Sequence, residues 1–171
     1  MGTAMTRSGP RPAPAANDID HMRTAIELAR DGMAAGAGGP FGAVVVSGVD
    51  VFGRGCNRVT STNDPTAHAE VVAIREACAA QGSWMLPGCT LVTSCEPCPM
   101  CLAAAHWARL DRIVFGASRE DAAAAGFDDR LLYEEINLAP ELRTVPARCV
   151  LPEEAARLFL EWRSLADRVP Y

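Results

Sequence analysis

Lysine is absent: all 16 basic residues of this 171-residue chain are arginine. That excludes Schiff-base chemistry on a lysine amine and the lysine-dependent phosphate loop of P-loop NTPases. Histidine is scarce, and three scattered residues (His21, His68, His106) argue against a three-histidine metal site. No apolar run approaches the roughly 20 residues needed to cross a bilayer, so the chain reads as soluble, with no membrane partner. A basic surplus is missing too. With 21 acidic residues the net charge is −5, against the excess expected of a protein that grips nucleic-acid phosphates, although a local basic patch stays open. Residues 1–16, rich in Pro, Ala and Gly, lack the apolar stretch of a secretory signal and read as a flexible tail ahead of one domain at 17–171. Met1, Gly2 and Thr6 fit a myristoylation pattern too loosely to carry weight.

Seven cysteines make an odd number. Cys95, Cys98 and Cys101 crowd together, while Cys56, Cys78, Cys89 and Cys149 lie scattered among apolar neighbours. This suits metal ligands plus small core residues in a reducing compartment, so the expected location is the cytoplasm.

Apolar spacing after the caps Asn17 and Asp18 predicts a helix over 18–35, stopped at Gly36. Phe41–Ser47 and 51–58 read as a hairpin turned at Gly48–Asp50. Asp64 as cap and Pro65 as first residue predict a helix to Ala80. Thr90–Thr93 and Arg112–Phe115 read as strands around a helix at 97–108. A short helix near 130–136, a fifth strand at Ala147–Val150 and a helix from Pro152 to Ala166 complete the chain. This order implies an α/β domain with a mixed sheet covered on both faces.

His68-Ala69-Glu70 and, further on, Pro97-Cys98-Pro99-Met100-Cys101 form the His-x-Glu…Pro-Cys-x-x-Cys pattern of zinc deaminases. The chemistry explains the pattern. Cys98 and Cys101, three apart at a helix start, present both sulfurs on one face where the helix dipole favours thiolates. His68 completes three protein ligands for Zn²⁺ and leaves one tetrahedral position open, the plan of a catalytic site. Two thiolates and a neutral imidazole already cancel the zinc charge, so an auxiliary base is valuable, and Glu70 is placed to supply it. Two other readings compete: Cys95 as a fourth ligand closing a structural site, and Glu70 as a solvated first-turn carboxylate.

On these motifs, with Gly38-Gly39-Pro40-Phe41-Gly42-Ala43, Asn57, Gly126-Phe127-Asp128-Asp129, Tyr133-Glu134-Glu135-Ile136 and the terminal Tyr171, the chain resembles the cytidine deaminase-like superfamily, and within it the bacterial guanine deaminases. The resemblance covers about 18–171. It implies a three-layer α/β/α fold with a mixed five-stranded sheet, and a homodimer whose C-terminal segments can exchange. It also implies that Phe41 and Trp107 pack on the base, that Asn57 bonds to it, that Ala67 lines the pocket and that Tyr171 closes it. Asp129 would assist near the leaving amine, as a second catalytic residue beside Glu70. His106 departs from the aromatic residue often found in relatives. Taken alone, Phe41 and Trp107 are equally good core residues, Asp128 and Asp129 are helix caps, and Asn57 is a turn residue.

The expected reaction is hydrolytic deamination of a free nucleobase, guanine to xanthine and ammonia, by zinc-activated water with Glu70 shuttling protons. Cytosine, guanosine and ammeline are the alternative small substrates. A tRNA adenosine deaminase and a non-catalytic zinc module are the rival classes.

Overall fold

The computed structural model describes residues 16–170. The predicted tail, apart from residue 16, and Tyr171 lie outside them. The elements, in order, are α1 (Ala16–Ala34), β1 (Gly42–Ser47), β2 (Asp50–Cys56), α2 (Val59–Thr62), α3 (Ala69–Gln81), β3 (Thr90–Cys95) and α4 (Pro99–Trp107). They continue with β4 (Arg112–Ala117), α5 (Arg119–Ala124), α6 (Arg130–Glu135), a single 3₁₀ turn at Pro140–Leu142 and α7 (Pro152–Ser164).

The strands form one sheet in the order β2-β1-β3-β4, antiparallel except for the parallel pair β3 and β4. Strand alternation sends Val44, Val46 and Val92 to one face, where Met22 and Leu28 of α1 cover them. Ala43, Val45 and Leu91 point to the other face, against Ala69, Ala73 and Ala77 of α3 and Ala105 of α4. The result is the expected three-layer α/β/α fold. Val44, Val45, Leu91 and Val92 are fully buried, and each contributes roughly 1.5–3 kcal/mol on leaving water. The alanines on α3 bring that helix close to the sheet. Gly53 and Gly55 of β2 complete the approach: a Cβ at Gly55 would stand 2.2 Å from the Ala69 carbonyl oxygen, and one at Gly53 2.1 Å from that of Ala73. On the opposite face, Asp18 in the first turn of α1 makes a two-pronged ion pair with Arg112 of β4, at 2.7 and 2.8 Å.

Two helix starts and one strand differ from expectation. The helix predicted from Pro65 starts at Ala69, because Asp64 Oδ1 is already committed to the N–H and hydroxyl of Thr66, at 2.8 and 2.7 Å. This turn delays the helix until His68. The helix predicted from Pro97 likewise starts at Pro99, capped by Cys98. The sheet has four strands rather than five: residues 147–150 form none. A strand exists only against a neighbour's ladder, and this exposed segment finds none among the described residues. The two short helices α2 and α5 were not expected. α5 follows from a capping box between Ser118 and Asp121.

Gly55→Ala is expected to force α3 off the sheet at its first residue. Overpacking of this kind costs about 1–3 kcal/mol, read as a lower thermal midpoint, and the displaced His68 should also lower the zinc content of the purified protein.

Candidate metal centre and active-site cavity

α3 and α4 begin side by side at the same edge of the sheet, and each begins on a metal-ligand type of residue. His68 is the N-cap of α3 and Cys98 the N-cap of α4, both in extended conformation and neither using its side chain to cap. Each side chain is thereby left free at a helix end whose unpaired N–H groups favour negative charge. Cys101 follows one turn into α4 and is fully buried.

Nδ1 of His68 lies 3.6 Å from Cys98 Sγ and 3.5 Å from Cys101 Sγ. Tetrahedral bonds of about 2.3 Å to sulfur and about 2.0 Å to nitrogen require sulfur–nitrogen separations near 3.6 Å. The three donors therefore have the chemistry and the spacing of a zinc site, and they are the one such group among the described residues. Cys95 stands apart: its buried thiol donates to the Ser118 carbonyl at 3.6 Å. Burial, aided by the charge of Glu70, pushes that thiol up to about 11, so it stays a protonated core group.

The electrostatics favour a thiolate at Cys98 alone. A hydrogen bond from Cys101 and another from His68 draw Cys98 down to about 4. Cys101 is pushed up, first by its bond to Cys98 and also by burial and Glu70. The imidazole of His68 is raised, chiefly by Cys98. Glu70, one turn residue further into α3, is buried, and that burial raises its carboxyl. The Cys101 thiol donates to Glu70 Oε2 at 3.4 Å, so the carboxylate is turned inward to the candidate ligand group rather than out to water.

A cavity of about 370 Å³ opens over this centre, lined by His68, Glu70 and Cys98 together with Phe41, Asn57, Phe127 and Asp129. Phe41 and Phe127 meet edge to face, with ring centroids 4.9 Å apart. Asn57 is buried, and its Oδ1 accepts from the N–H groups of Gly39 and Val59, both at 3.2 Å. The turn reading of Asn57 is thus correct for the oxygen, and the amide nitrogen remains as the donor it can offer the cavity. Asp128 is spent on Arg130, through the backbone N–H at 2.9 Å and the guanidinium. Asp129 makes no cap bond, and its carboxyl is raised by burial and by Cys98.

Two predicted residues are not brought to this cavity. Ala67 is buried behind His68, its carbonyl taken by the N–H of Arg58 at 2.9 Å. Trp107, more than half exposed, lines a separate groove with Trp84, Ile74 and Val169. His106 is exposed beside it.

Residues 15–117 match the family described as the cytidine and deoxycytidylate deaminase zinc-binding region. The chain belongs to this family. It is 49% identical over 155 residues to the guanine deaminase of Bacillus subtilis, covering 91% of this chain and 99% of that protein. The X-ray structure of B. subtilis guanine deaminase superposes with a TM-score of 0.87 at 48% identity, over 90% of this chain and 98% of that one. A guanine deaminase from Nitrosomonas europaea matches with a TM-score of 0.62 at 36% identity, over 72% and 70% of the two chains. The B. subtilis tRNA-specific adenosine deaminase is 38% identical over 115 residues, 67% of this chain and 71% of that protein.

Membership makes this deaminase a zinc-binding enzyme, and the sulfur–nitrogen spacing fits that metal. Sequence reasoning missed Phe127 and Arg119 as cavity residues. Phe127 had a signal, since it adjoins Asp128 and Asp129. Arg119 had none: only the parallel pairing of β3 and β4, which delivers both strand ends to one edge, puts it there.

With these ligands, Cys98→Ser is expected to lower bound zinc from about one per chain to near zero, measured by metal analysis of the purified protein. Because the ligands must shed protons to bind metal, chelator stripping of the unmutated deaminase should speed up as pH falls.

Proposed function

We propose that the deaminase hydrolyses free guanine to xanthine and ammonia, that residues 17–171 act as one domain, and that His68, Cys98 and Cys101 hold the zinc. The observation that carries the reading is Glu70: a buried carboxylate turned toward the ligand sulfurs at the floor of a cavity with aromatic walls. The activity of the 49% identical B. subtilis relative supports guanine as the base. Bound zinc supplies Lewis acidity that lowers the pKa of a water molecule.

The chain's own groups do the rest. Phe41 and Phe127 hold the purine ring, and the Asn57 amide nitrogen donates to it. Glu70 takes a proton from the attacking water as its oxygen bonds to C2, then delivers that proton to the adjacent ring nitrogen. The remaining hydroxyl proton passes to the exocyclic amine, by way of Glu70 with Asp129 beside the leaving nitrogen. The C2–N bond then breaks, ammonia leaves and the carbonyl of xanthine forms. Proton transfer by one positioned group is worth about 10²–10⁴ in rate.

The C-terminal segment supports a homodimer with exchanged arms. Every residue from 144 to 170 is exposed, including Leu158, Phe159 and Leu165 of α7. An apolar helix face of this kind is stable only when covered, and a second copy of the chain is the cover proposed. Tyr171 would then act at the partner's cavity. The protein is proposed to work in the cytoplasm and to bind no nucleic acid.

Glu70→Ala should keep its zinc yet lose about 10²–10⁴ in kcat; full turnover by the zinc-loaded variant would refute the role. An ammonia-release screen over guanine, guanosine, cytosine, cytidine, adenine and ammeline is expected to favour guanine. Release from tRNA alone, with salt-sensitive tRNA binding, would transfer the protein to the RNA-editing class. Coexpression of Glu70→Ala with Tyr171→Ala chains tests the exchange. Pairing restores one intact site in each mixed dimer, so roughly a quarter of full activity should return.

A further inference from the structure

Four carboxylates line the cavity, Glu70, Glu96, Asp128 and Asp129, against a single guanidinium, that of Arg119. Arg119 is not a loop residue free to swing. It follows Ser118, whose N–H donates to Asp121 Oδ2 at 2.8 Å while the Asp121 N–H donates to Ser118 Oγ at 3.2 Å. This reciprocal cap fixes the chain direction where β4 ends. The Arg119 guanidinium then lies over the face of Tyr133, 4.7 Å from the ring centroid, and its Nε donates to Glu120 at 3.3 Å. The Tyr133 hydroxyl, at the edge of the same ring, donates to the Pro97 carbonyl at 3.5 Å. That carbonyl belongs to the peptide immediately before Cys98.

This run of contacts joins three pieces that sequence keeps apart: the end of β4, helix α6 and the metal-ligand loop. α6 needs such a join. It has six residues, none of them buried, too few to be stable alone. Yet Asp129, its N-cap, must stand at a fixed place over the cavity if it is to assist at the leaving amine. Asp128 cannot substitute, since Arg130 holds it.

We infer that Arg119 is a positioning residue: packed on Tyr133, it clamps α6, and with it Asp129, against the Cys98 loop. The charges agree with this placement. Burial, Cys98 and Asp128 disfavour the ionised Asp129 carboxylate, and Arg119 together with a backbone hydrogen bond favours it. A cation stacked on an aromatic face contributes modestly where exposed and more where partly desolvated; Arg119 is about one-third exposed. The inference rests on the deaminase reading for its kinetic consequence, not for its structural one.

Arg119→Gln in the zinc-loaded, full-length protein is the test. Amide hydrogen exchange in residues 127–136 should rise at least about tenfold, because local opening of α6 becomes easier. The value of kcat should fall about 10- to 100-fold, the scale of a catalytic group misplaced by about 1 Å, with zinc content and thermal midpoint unchanged. Arg119→Lys, which keeps a cation for the ring, should regain most of both. Tyr133→Phe, which keeps the ring but not the hydroxyl, should raise exchange at 127–136 to a smaller degree. Unaltered exchange and kcat in Arg119→Gln would overturn the inference, as would loss of zinc or of thermal stability in that variant. If the unmutated protein released ammonia from no base, the functional reading would fail, while the exchange comparison would still decide whether Arg119 clamps α6.

Discussion

The structure turns on the meeting of two helix N-termini. Metal ligands are hard to gather because two thiolates repel each other and burying either one is costly. Here α3 and α4 both begin at the same sheet edge with their partial positive ends converging, and each presents its N-cap side chain into the gap. Without a metal only Cys98 is favoured as a thiolate, while Cys101 is held protonated by Cys98, burial and Glu70; a bound cation would be needed to ionise both. The close fit of α3 on β2, through Gly53 and Gly55 against Ala73 and Ala69, sets how near the two helix starts can come. A packing constraint on the far side of α3 thus reaches the chemistry within one helical turn.

The cavity walls follow from topology. β3 and β4 are parallel, so both deliver their C-terminal ends to the edge where the metal ligands lie. Crevices outside the carboxyl ends of parallel strands are the usual ligand sites of α/β sheets. The end of β3 leads into Cys95, Glu96 and Cys98, and the end of β4 into Ser118 and Arg119. From the other side, the link between α1 and β1 brings Phe41, held by the paired backbone of Asn57, whose N–H donates to the Phe41 carbonyl at 3.0 Å. One asparagine therefore shapes the wall with its backbone and side-chain oxygen and keeps a donor for the cavity. The same economy separates two adjacent aspartates, one bound to arginine and one making no cap bond at the cavity wall.

Much of this was legible in the sequence, and the failures share a cause. His68, Glu70, Cys98 and Cys101 could be picked out because their grouping depends on local spacing at helix starts, and the structure brings them together. Val44, Val45 and Val92 announced the buried strands in the same way. The helix starts themselves were misplaced by two to four residues (Pro97 against Pro99, Pro65 against Ala69), since Asp64 caps a tight turn instead of a helix. Arg119 was invisible because nothing near it in sequence is chemical; its place is set by strand order. The fifth strand at 147–150 was expected from its composition, but pairing is a property of two segments, and the described residues offer this one no partner. Trp107 was expected at the cavity and lies in another groove, lined by α3 and α4 with Trp84 and Val169.

What remains decisive is the coordination of the metal. Zinc-edge X-ray absorption on the purified protein reads the ligand set directly. Two sulfurs at about 2.3 Å, one nitrogen and one further light atom at about 2.0 Å are predicted, with an unchanged spectrum in Cys95→Ala. Three sulfur ligands, or a spectrum altered by that substitution, would mean a closed centre with no corner for a reacting water, and the catalytic reading of the cavity would be wrong.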